Sequence, residues 1–175
     1  MGYFMAKEIL SFAGGCFWGV EHAFKQLDGV LNTRVGYQGG NTENPTYSEV
    51  CSKDTNHAEV VEVTFDNEVL TLKRLLDAFF FLHDPTQLNR QGPDVGSQYR
   101  SAIFPTTLEQ TLLVKDYLNN LKESNPTKQE IVTTVEEGRP FYSAEENHQD
   151  YLFKNPSGYC HIGLDIFQKI KTGEF

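Results

Sequence analysis

Two spacings of apolar residues alternate along the first hundred positions of the chain. Apolar side chains recur at steps of three and four residues in two segments, which predicts helices with one buried face: Phe17, Val20, Phe24 and Leu27, then Leu72, Leu75, Leu76, Phe79 and Phe80. Extended segments at residues 9–12, 30–37, 58–65 and 98–104 predict strands around them. The resulting order is strand, helix, strand, strand, helix, strand. This order is typical of the split β-α-β arrangement of ferredoxin-like folds.

The rest of the chain predicts additions to that core. Residues 83–96 form a long polar loop, Thr106-x-x-Glu109 fits a capping box for a further helix, and residues 131–135 predict a strand. Ser143-x-x-Glu146 could cap a short helix, and the segment from Asn155 onward lacks periodicity. We therefore expect an α/β fold, an α+β two-layer sandwich with a mixed sheet, extra helices and an irregular C-terminal tail. We expect one catalytic domain over residues 1–175, with a core at about 7–153 and a mobile segment at about 154–175.

Composition and charge exclude several classes of protein. The chain of 175 residues is 39% hydrophobic and 13% aromatic, as expected for a globular protein with a core. Its longest apolar run, residues 78–82, is far shorter than a membrane span. A formal net charge of −9 argues against binding to nucleic acid. The N-terminal residues carry no signal-peptide pattern, so a cytoplasmic location is expected.

The chain has three widely separated cysteines, Cys16, Cys51 and Cys160. It contains no Cys-x-x-Cys pair, which disfavours a disulfide framework or a thiolate zinc site. Cys16 follows Gly14-Gly15 at the start of a predicted helix, where free backbone N–H groups and the helix dipole favour a thiolate. The alternative is a cysteine buried only for packing. Trp18, two residues further on, would supply an apolar wall for a small substrate group.

Other chemistries remain open at this level. Cys16 could be the nucleophile of a hydrolase or acyltransferase, paired with one of the five histidines, His22, His57, His83, His148 or His161. His57-Ala58-Glu59 matches part of a zinc deaminase motif, but no Pro-Cys-x-x-Cys follows it. A ferredoxin-like module that binds a ligand without chemistry is the third alternative.

Eight separated motifs resemble the methionine sulfoxide reductase A family, the peptide-methionine (S)-S-oxide reductases. They cover about residues 9–160 and occur in this order: Gly15-Cys16-Phe17-Trp18-Gly19, Gly36-Tyr37-Gln38-Gly39-Gly40, Asn44-Pro45-Thr46-Tyr47, His57-Ala58-Glu59-Val60-Val61, His83-Asp84-Pro85-Thr86-Gln87, Gln98-Tyr99-Arg100-Ser101, His148-Gln149 and Gly158-Tyr159-Cys160. The resemblance implies reduction of the S epimer of methionine sulfoxide, protein-bound and free, with no bound cofactor or metal.

The resemblance also implies roles for individual residues. Cys16 would attack the sulfoxide sulfur, and Glu59 would protonate its oxygen. Glu59 shares one face of its strand with Val61 and Val63, where desolvation would raise the carboxyl pKa. A Glu at a strand edge facing solvent is the alternative. Tyr47 and Tyr99 would donate hydrogen bonds to the same oxygen.

Five further residues are implied in substrate binding by the same resemblance. Phe17 and Trp18 would line the substrate pocket, while Asp94, His148 and Tyr151 would bind water or orient the substrate.

The recycling route is likewise implied by the family. Cys16 would become a sulfenic acid, and Cys160 would condense with it to form a disulfide. Cys51 is interpreted as a bystander. No cysteine follows Cys160, so thioredoxin, or dithiothreitol in vitro, would reduce the disulfide directly. We expect oxidised proteins or peptides and thioredoxin as partners of a monomer, with no membrane or nucleic acid.

Overall fold

The structure is a computed structural model that describes residues 6–52, 54–125 and 128–175. The N-terminal residues 1–5, which bear on the expected absence of a signal peptide, lie outside that range. The strands and helices follow in the order β1 (Lys7–Gly14), α1 (Phe17–Phe24), β2 (Val30–Gln38), α2 (Tyr47–Ser52), β3 (Ala58–Asp66), α3 (Leu72–Leu82), β4 (Arg90–Gln91), β5 (Asp94–Val95), β6 (Ser101–Phe104), α4 (Leu108–Glu123), β7 (Thr134–Val135), β8 (Tyr142–Ser143), α5 (Tyr151–Lys154) and α6 (Leu164–Thr172). Two 3₁₀ turns cover Ser97–Tyr99 and Glu146–His148.

One sheet forms the centre of the fold. Its strand order is β7-β6-β1-β3-β2-β8, and every neighbouring pair is antiparallel except β6 and β7, which are parallel. The predicted mixed sheet on a ferredoxin-like core is therefore confirmed. On β1, Phe12 points to the helical side, where its ring centroid lies 5.0 Å from Phe24 of α1 and 4.9 Å from Phe79 of α3. These contacts fix α1 above the sheet.

Strand β3 shows the period-two alternation that the sequence predicts. Val61, Val63 and Phe65 belong to the large core under the helices, whereas Ala58 and Val60 belong to a smaller cluster on the opposite face. Because side chains alternate along a strand, Glu59 must point to the helical side as well.

Local chemistry shifts several predicted boundaries. Thr107, not Thr106, caps α4 by accepting a hydrogen bond from the Gln110 amide at 3.1 Å. The Thr106 hydroxyl instead donates to the Ile9 carbonyl of β1 at 2.6 Å. Tyr99 lies in a 3₁₀ turn before β6 rather than in the strand. The predicted loop 83–96 contains the small β4–β5 hairpin, and Ser143 lies in β8 rather than at a helix cap.

The prediction of an irregular tail is wrong over α6. Phe167 and Ile170 of this helix are buried in the main core, and Gly173 ends it with a left-handed φ of 78°. Burial of these two side chains supplies the stabilisation that the weak local pattern did not suggest. Within the described ranges, no helix has the length and apolar character needed to cross a membrane.

Candidate active site

Cys16 lies at the turn between β1 and α1, as the N-cap residue of the helix. Gly15 precedes it with a φ of +100°, a conformation that a residue with a Cβ rarely adopts. The cysteine is only 6% exposed. Burial and the nearby Glu59 raise the thiol pKa well above its ordinary value, although the Trp18 amide opposes them. The helix start does favour the thiolate through the Trp18 amide, but burial outweighs this effect, so the thiol of the free protein is neutral.

Glu59 faces the same turn from β3 and is 1% exposed. The Phe17 amide donates to its Oε1 at 3.2 Å, while Oε2 is buried with no hydrogen-bond partner among the described residues. Desolvation, reinforced by the charge of Asp94, raises the carboxyl pKa to about 8. As the strand pattern predicts, Glu59 is protonated at neutral pH. The site thus presents a protonated carboxyl with one oxygen, Oε2, that is not engaged in a hydrogen bond among the described residues.

Tyr47 and Tyr99 approach this pair from opposite parts of the chain. Tyr47 begins α2, and Tyr99 ends a 3₁₀ turn before β6. For both phenols, burial and then the charge of Glu59 raise the pKa well above the ordinary value. Both hydroxyls consequently stay protonated and remain neutral hydrogen-bond donors.

An aromatic wall formed by Trp18, Tyr151, His148 and Tyr47 stands beside the Cys16 turn. Trp18 stacks on Tyr151 with ring centroids 3.9 Å apart and planes at 15°. Its indole N–H donates to His148 Nδ1 at 3.1 Å, and the His148 ring lies 4.4 Å from Tyr47. Phe17 is fully buried behind these rings, 5.5 Å from His148. Burial lowers the His148 pKa, so the imidazole is neutral and orients Trp18 as an acceptor.

Asp94 is held at the β4–β5 hairpin, where its charge contributes to the raised pKa of Cys16 and of Glu59. The Tyr159 hydroxyl donates to both Asp94 carboxylate oxygens at 3.1 Å. Burial and this hydrogen bond raise the Tyr159 pKa to about 12. The contact ties the chain segment carrying Cys160 to the hairpin, a link for which the sequence offers no local signal.

All three cysteines are free thiols. Cys160 is half-buried, and a Cβ placed on Gly19 of α1 would lie 2.9 Å from its sulfur. Cys160 therefore packs against the first turns of the helix that begins at Cys16. Cys51 is exposed on α2, where its thiol is hydrogen-bonded to Tyr47.

Glu145, which no sequence pattern indicated, holds the start of α2 through its carboxylate. Glu145 accepts a hydrogen bond from the Tyr37 hydroxyl at 2.9 Å and from the Tyr47 amide at 3.0 Å. These partners are about a hundred positions away in the chain, so no spacing pattern could reveal the contact.

The structure also bears on the alternative chemistries. His57 is fully engaged by the backbone, since the Gly40 amide donates to Nδ1 at 3.0 Å and Nε2 lies 2.7 Å from the Thr42 carbonyl. Among the described residues, no group of three His, Cys, Asp or Glu side chains is arranged to hold a metal ion. The group that faces the Cys16 turn from β3 is the Glu59 carboxyl, whose Oε1 accepts a hydrogen bond from the Phe17 amide.

A neutral thiol beside a neutral carboxyl, on a ferredoxin-like core, is consistent with a thiol-based enzyme. Comparisons with known proteins specify the class. The family model for peptide methionine sulfoxide reductase matches residues 8–173. Peptide methionine sulfoxide reductase MsrA of Methanothermobacter thermautotrophicus is 55% identical over 155 residues, which are 89% of this chain and 92% of the relative.

Solved structures agree with this assignment. Mxr1 from Saccharomyces cerevisiae in reduced form superimposes with a TM-score of 0.82 at 37% identity, covering 91% of this chain and 92% of that one. Mxr1 in complex with Trx2 gives a TM-score of 0.59 at 26% identity, covering 86% and 89%. The chain belongs to the peptide methionine sulfoxide reductase A family. It is an oxidoreductase that reduces methionine sulfoxide by thiol chemistry.

Proposed function

We propose that Cys16, Glu59 and Cys160 carry the reaction on the S epimer of methionine sulfoxide, in oxidised proteins, peptides and the free amino acid. The observation that supports this assignment best is the buried, neutral Glu59 carboxyl beside the Cys16 turn, with Oε2 free to face a substrate. A sulfoxide oxygen is a weak base, so its reduction needs a proton donor that is still protonated at neutral pH.

The first step joins attack and protonation. Cys16 sulfur attacks the sulfoxide sulfur, while Glu59 gives its proton to the sulfoxide oxygen and the thiol proton restores the carboxyl. Tyr47 and Tyr99 donate hydrogen bonds to that oxygen as charge develops on it. Oxygen then passes to Cys16, so methionine leaves and Cys16 becomes a sulfenic acid. Sulfur in the substrate is reduced by two electrons, and the cysteine is oxidised by two.

The aromatic wall suits the methyl end of the substrate. Trp18 and Tyr151 present stacked apolar faces, and the indole N–H is occupied by His148, so this surface offers no competing donor to the sulfoxide. Phe17 supports the wall from within the core, and Asp94 holds the neighbouring hairpin. This arrangement would bind the methyl group and leave the oxygen for Glu59 and the two tyrosines.

Recycling requires a second thiol. Cys160 attacks the Cys16 sulfenic acid, a disulfide forms, and water leaves. Thioredoxin, or dithiothreitol in vitro, then reduces the disulfide at Cys160, the more exposed sulfur of the pair. The complex of yeast Mxr1 with Trx2 supports this partner. We further propose that the chain works as a cytoplasmic monomer, as a single catalytic domain, without a bound cofactor.

The decisive test supplies the S and R epimers of a methionine sulfoxide peptide separately, with thioredoxin or dithiothreitol as reductant. We expect methionine from the S epimer alone, and none with Cys16→Ser. Cys51→Ser is the matched control and should retain turnover within about threefold, because the serine hydroxyl replaces the exposed thiol that is hydrogen-bonded to Tyr47. Turnover of the R epimer, or activity in Cys16→Ser, would contradict the proposal.

A further inference from the structure

Two glycines bracket the nucleophile, and two consecutive residues of the C-terminal segment pack against them. A Cβ on Gly15 would lie 3.0 Å from His161 Nε2, and a Cβ on Gly19 would lie 2.9 Å from Cys160 Sγ. Both approaches are closer than side chains at these positions would permit. The segment therefore brings both a thiol and an imidazole close to the turn and the first helical residues around Cys16.

The His161 imidazole is held less firmly than its neighbour His83. Both of its ring nitrogens are buried, and in the described part of the chain neither meets the geometry of a full hydrogen bond, the Gly14 carbonyl making only a weak contact. In His83, by contrast, Nδ1 lies 2.6 Å from the Phe79 carbonyl and Nε2 lies 2.8 Å from the Ser101 hydroxyl. Buried polar atoms are normally satisfied, so an unsatisfied imidazole at a reaction site calls for a functional account.

A cleft of about 500 Å³ opens on the other side of His161. It is lined by Asp84, Gln91 and Gly92 together with His83. The imidazole thus stands between this cleft and the turn that carries Cys16. Its position suits a group that exchanges protons with the reacting sulfurs.

The protonation state of His161 fits a proton acceptor. Burial lowers the imidazole pKa, while the charge of Asp94 and the Gly14 carbonyl act in the opposite direction. The remaining titratable groups that face it are His83 and Asp84, which line the same cleft. Burial raises the pKa of the Cys160 thiol, so that thiol is protonated at neutral pH and needs a base when it attacks.

We propose that His161 is the proton carrier for disulfide formation between Cys16 and Cys160. As the Cys160 sulfur attacks the Cys16 sulfenic acid, His161 takes the Cys160 thiol proton. The sulfur–oxygen bond of Cys16 breaks, the leaving hydroxide receives a proton from the imidazole, and water departs. His161 ends the step neutral. This role rests on the proposed function, because it presupposes the sulfenic acid and Cys160 as the attacking thiol.

The test separates the two chemical steps in His161→Gln. Reduced enzyme is mixed with one equivalent of the S epimer and quenched at intervals, and methionine, sulfenic acid and disulfide are each measured by mass spectrometry. We expect methionine to form at the wild-type rate within about twofold, while disulfide formation slows by about a hundredfold and sulfenic acid accumulates. His22→Gln, which alters an imidazole of α1 against Phe167, is the matched control and should leave both rates unchanged.

A pH profile distinguishes proton transfer from a structural effect. In the wild type, disulfide formation should slow as the pH falls through the His161 pKa, below the usual imidazole value of about 6.5, and His161→Gln should lack this inflection. His161→Asn serves if His161→Gln fails to fold, which thermal unfolding would reveal. Normal disulfide formation in a folded variant, or an unchanged inflection, would overturn the role of His161 alone. Absence of methionine in the wild type would instead overturn the proposed function.

Discussion

At the scale of single residues, desolvation outweighs the helix dipole at Cys16. A helix N-terminus stabilises a charge by roughly 0.3–1 kcal/mol, whereas burying an unpaired ion costs several kcal/mol. Both the Cys16 thiol and the Glu59 carboxyl are therefore neutral in the free protein. Two adjacent anions are avoided, and the pair carries the proton that the sulfoxide oxygen needs. We therefore expect the thiol to be activated in the complex with substrate rather than in the free protein.

The protonated Glu59 leads to a prediction for the pH dependence of methionine formation. Since Glu59 must hold its proton to act as the acid, kcat/KM in the wild type should fall as the pH rises through about 8. Glu59→Gln should lower kcat/KM at pH 7 by roughly 10²–10⁴-fold, because an amide cannot transfer the proton. Initial rates with the S epimer across this pH range provide the measurement.

Glu62→Gln is the matched control for that prediction. Glu62 lies on the same strand but on the opposite face, where it forms an ion pair with Arg34 at 3.0 Å. Its rate and pH profile should equal those of the wild type. Near-normal rates at neutral pH in Glu59→Gln would remove this carboxyl from the mechanism.

At the scale of elements, sequence patterns predicted what depends on local alternation and missed what depends on distant contacts. Strand parity alone placed Glu59 with Val61 and Val63 under the helices, as the structure has it. Helix α6 escaped prediction because the Phe167 and Ile170 side chains gain their stabilisation from the core. Glu145 escaped because both of its partners are remote in sequence.

Helix α1 begins directly after Cys16 and packs against Cys160 through Gly19. This contact gives a prediction for Gly19→Ala. An added Cβ would lie 2.9 Å from Cys160 Sγ and 3.2 Å from Ile162 Cδ1, so the C-terminal segment must shift. We expect disulfide formation to slow by about tenfold or more while methionine formation changes little, because misplacement of reacting atoms by about 1 Å is costly.

The same quench experiment that separates methionine from disulfide measures both effects in Gly19→Ala. Methionine formation in the variant serves as the internal control, and thermal unfolding excludes a general loss of structure. An unaltered rate of disulfide formation would show that Cys160 does not use this surface.

At the scale of the whole molecule, two buried groups with opposite pKa shifts set a pH window for stability. Burial lowers the His83 pKa to about 4, and it raises the Glu59 pKa to about 8. As the pH falls below about 6.5, the pKa of the imidazole in the unfolded chain, the unfolded chain binds a proton that His83 does not bind in the folded protein. The free energy of unfolding therefore decreases. As the pH rises above the unfolded carboxyl value of about 4.3, the unfolded chain loses a proton that folded Glu59 keeps, so stability decreases again.

Between about pH 4.3 and 6.5 the slopes due to His83 and Glu59 oppose each other. Above about pH 6.5, only the Glu59 slope of these two remains. From pH 6.5 to 8, each pH unit therefore costs the wild type about 1.4 kcal/mol through this carboxyl, or about 2 kcal/mol in total. Glu59→Gln has no such proton to lose. Its free energy of unfolding, measured by urea titration at pH 6.5 and 8.5, should thus decline by about 2 kcal/mol less than that of the wild type. Parallel declines in the two proteins would mean that Glu59 is ionised in the folded state, and the acid in the active site would then have to be sought among Tyr47 and Tyr99.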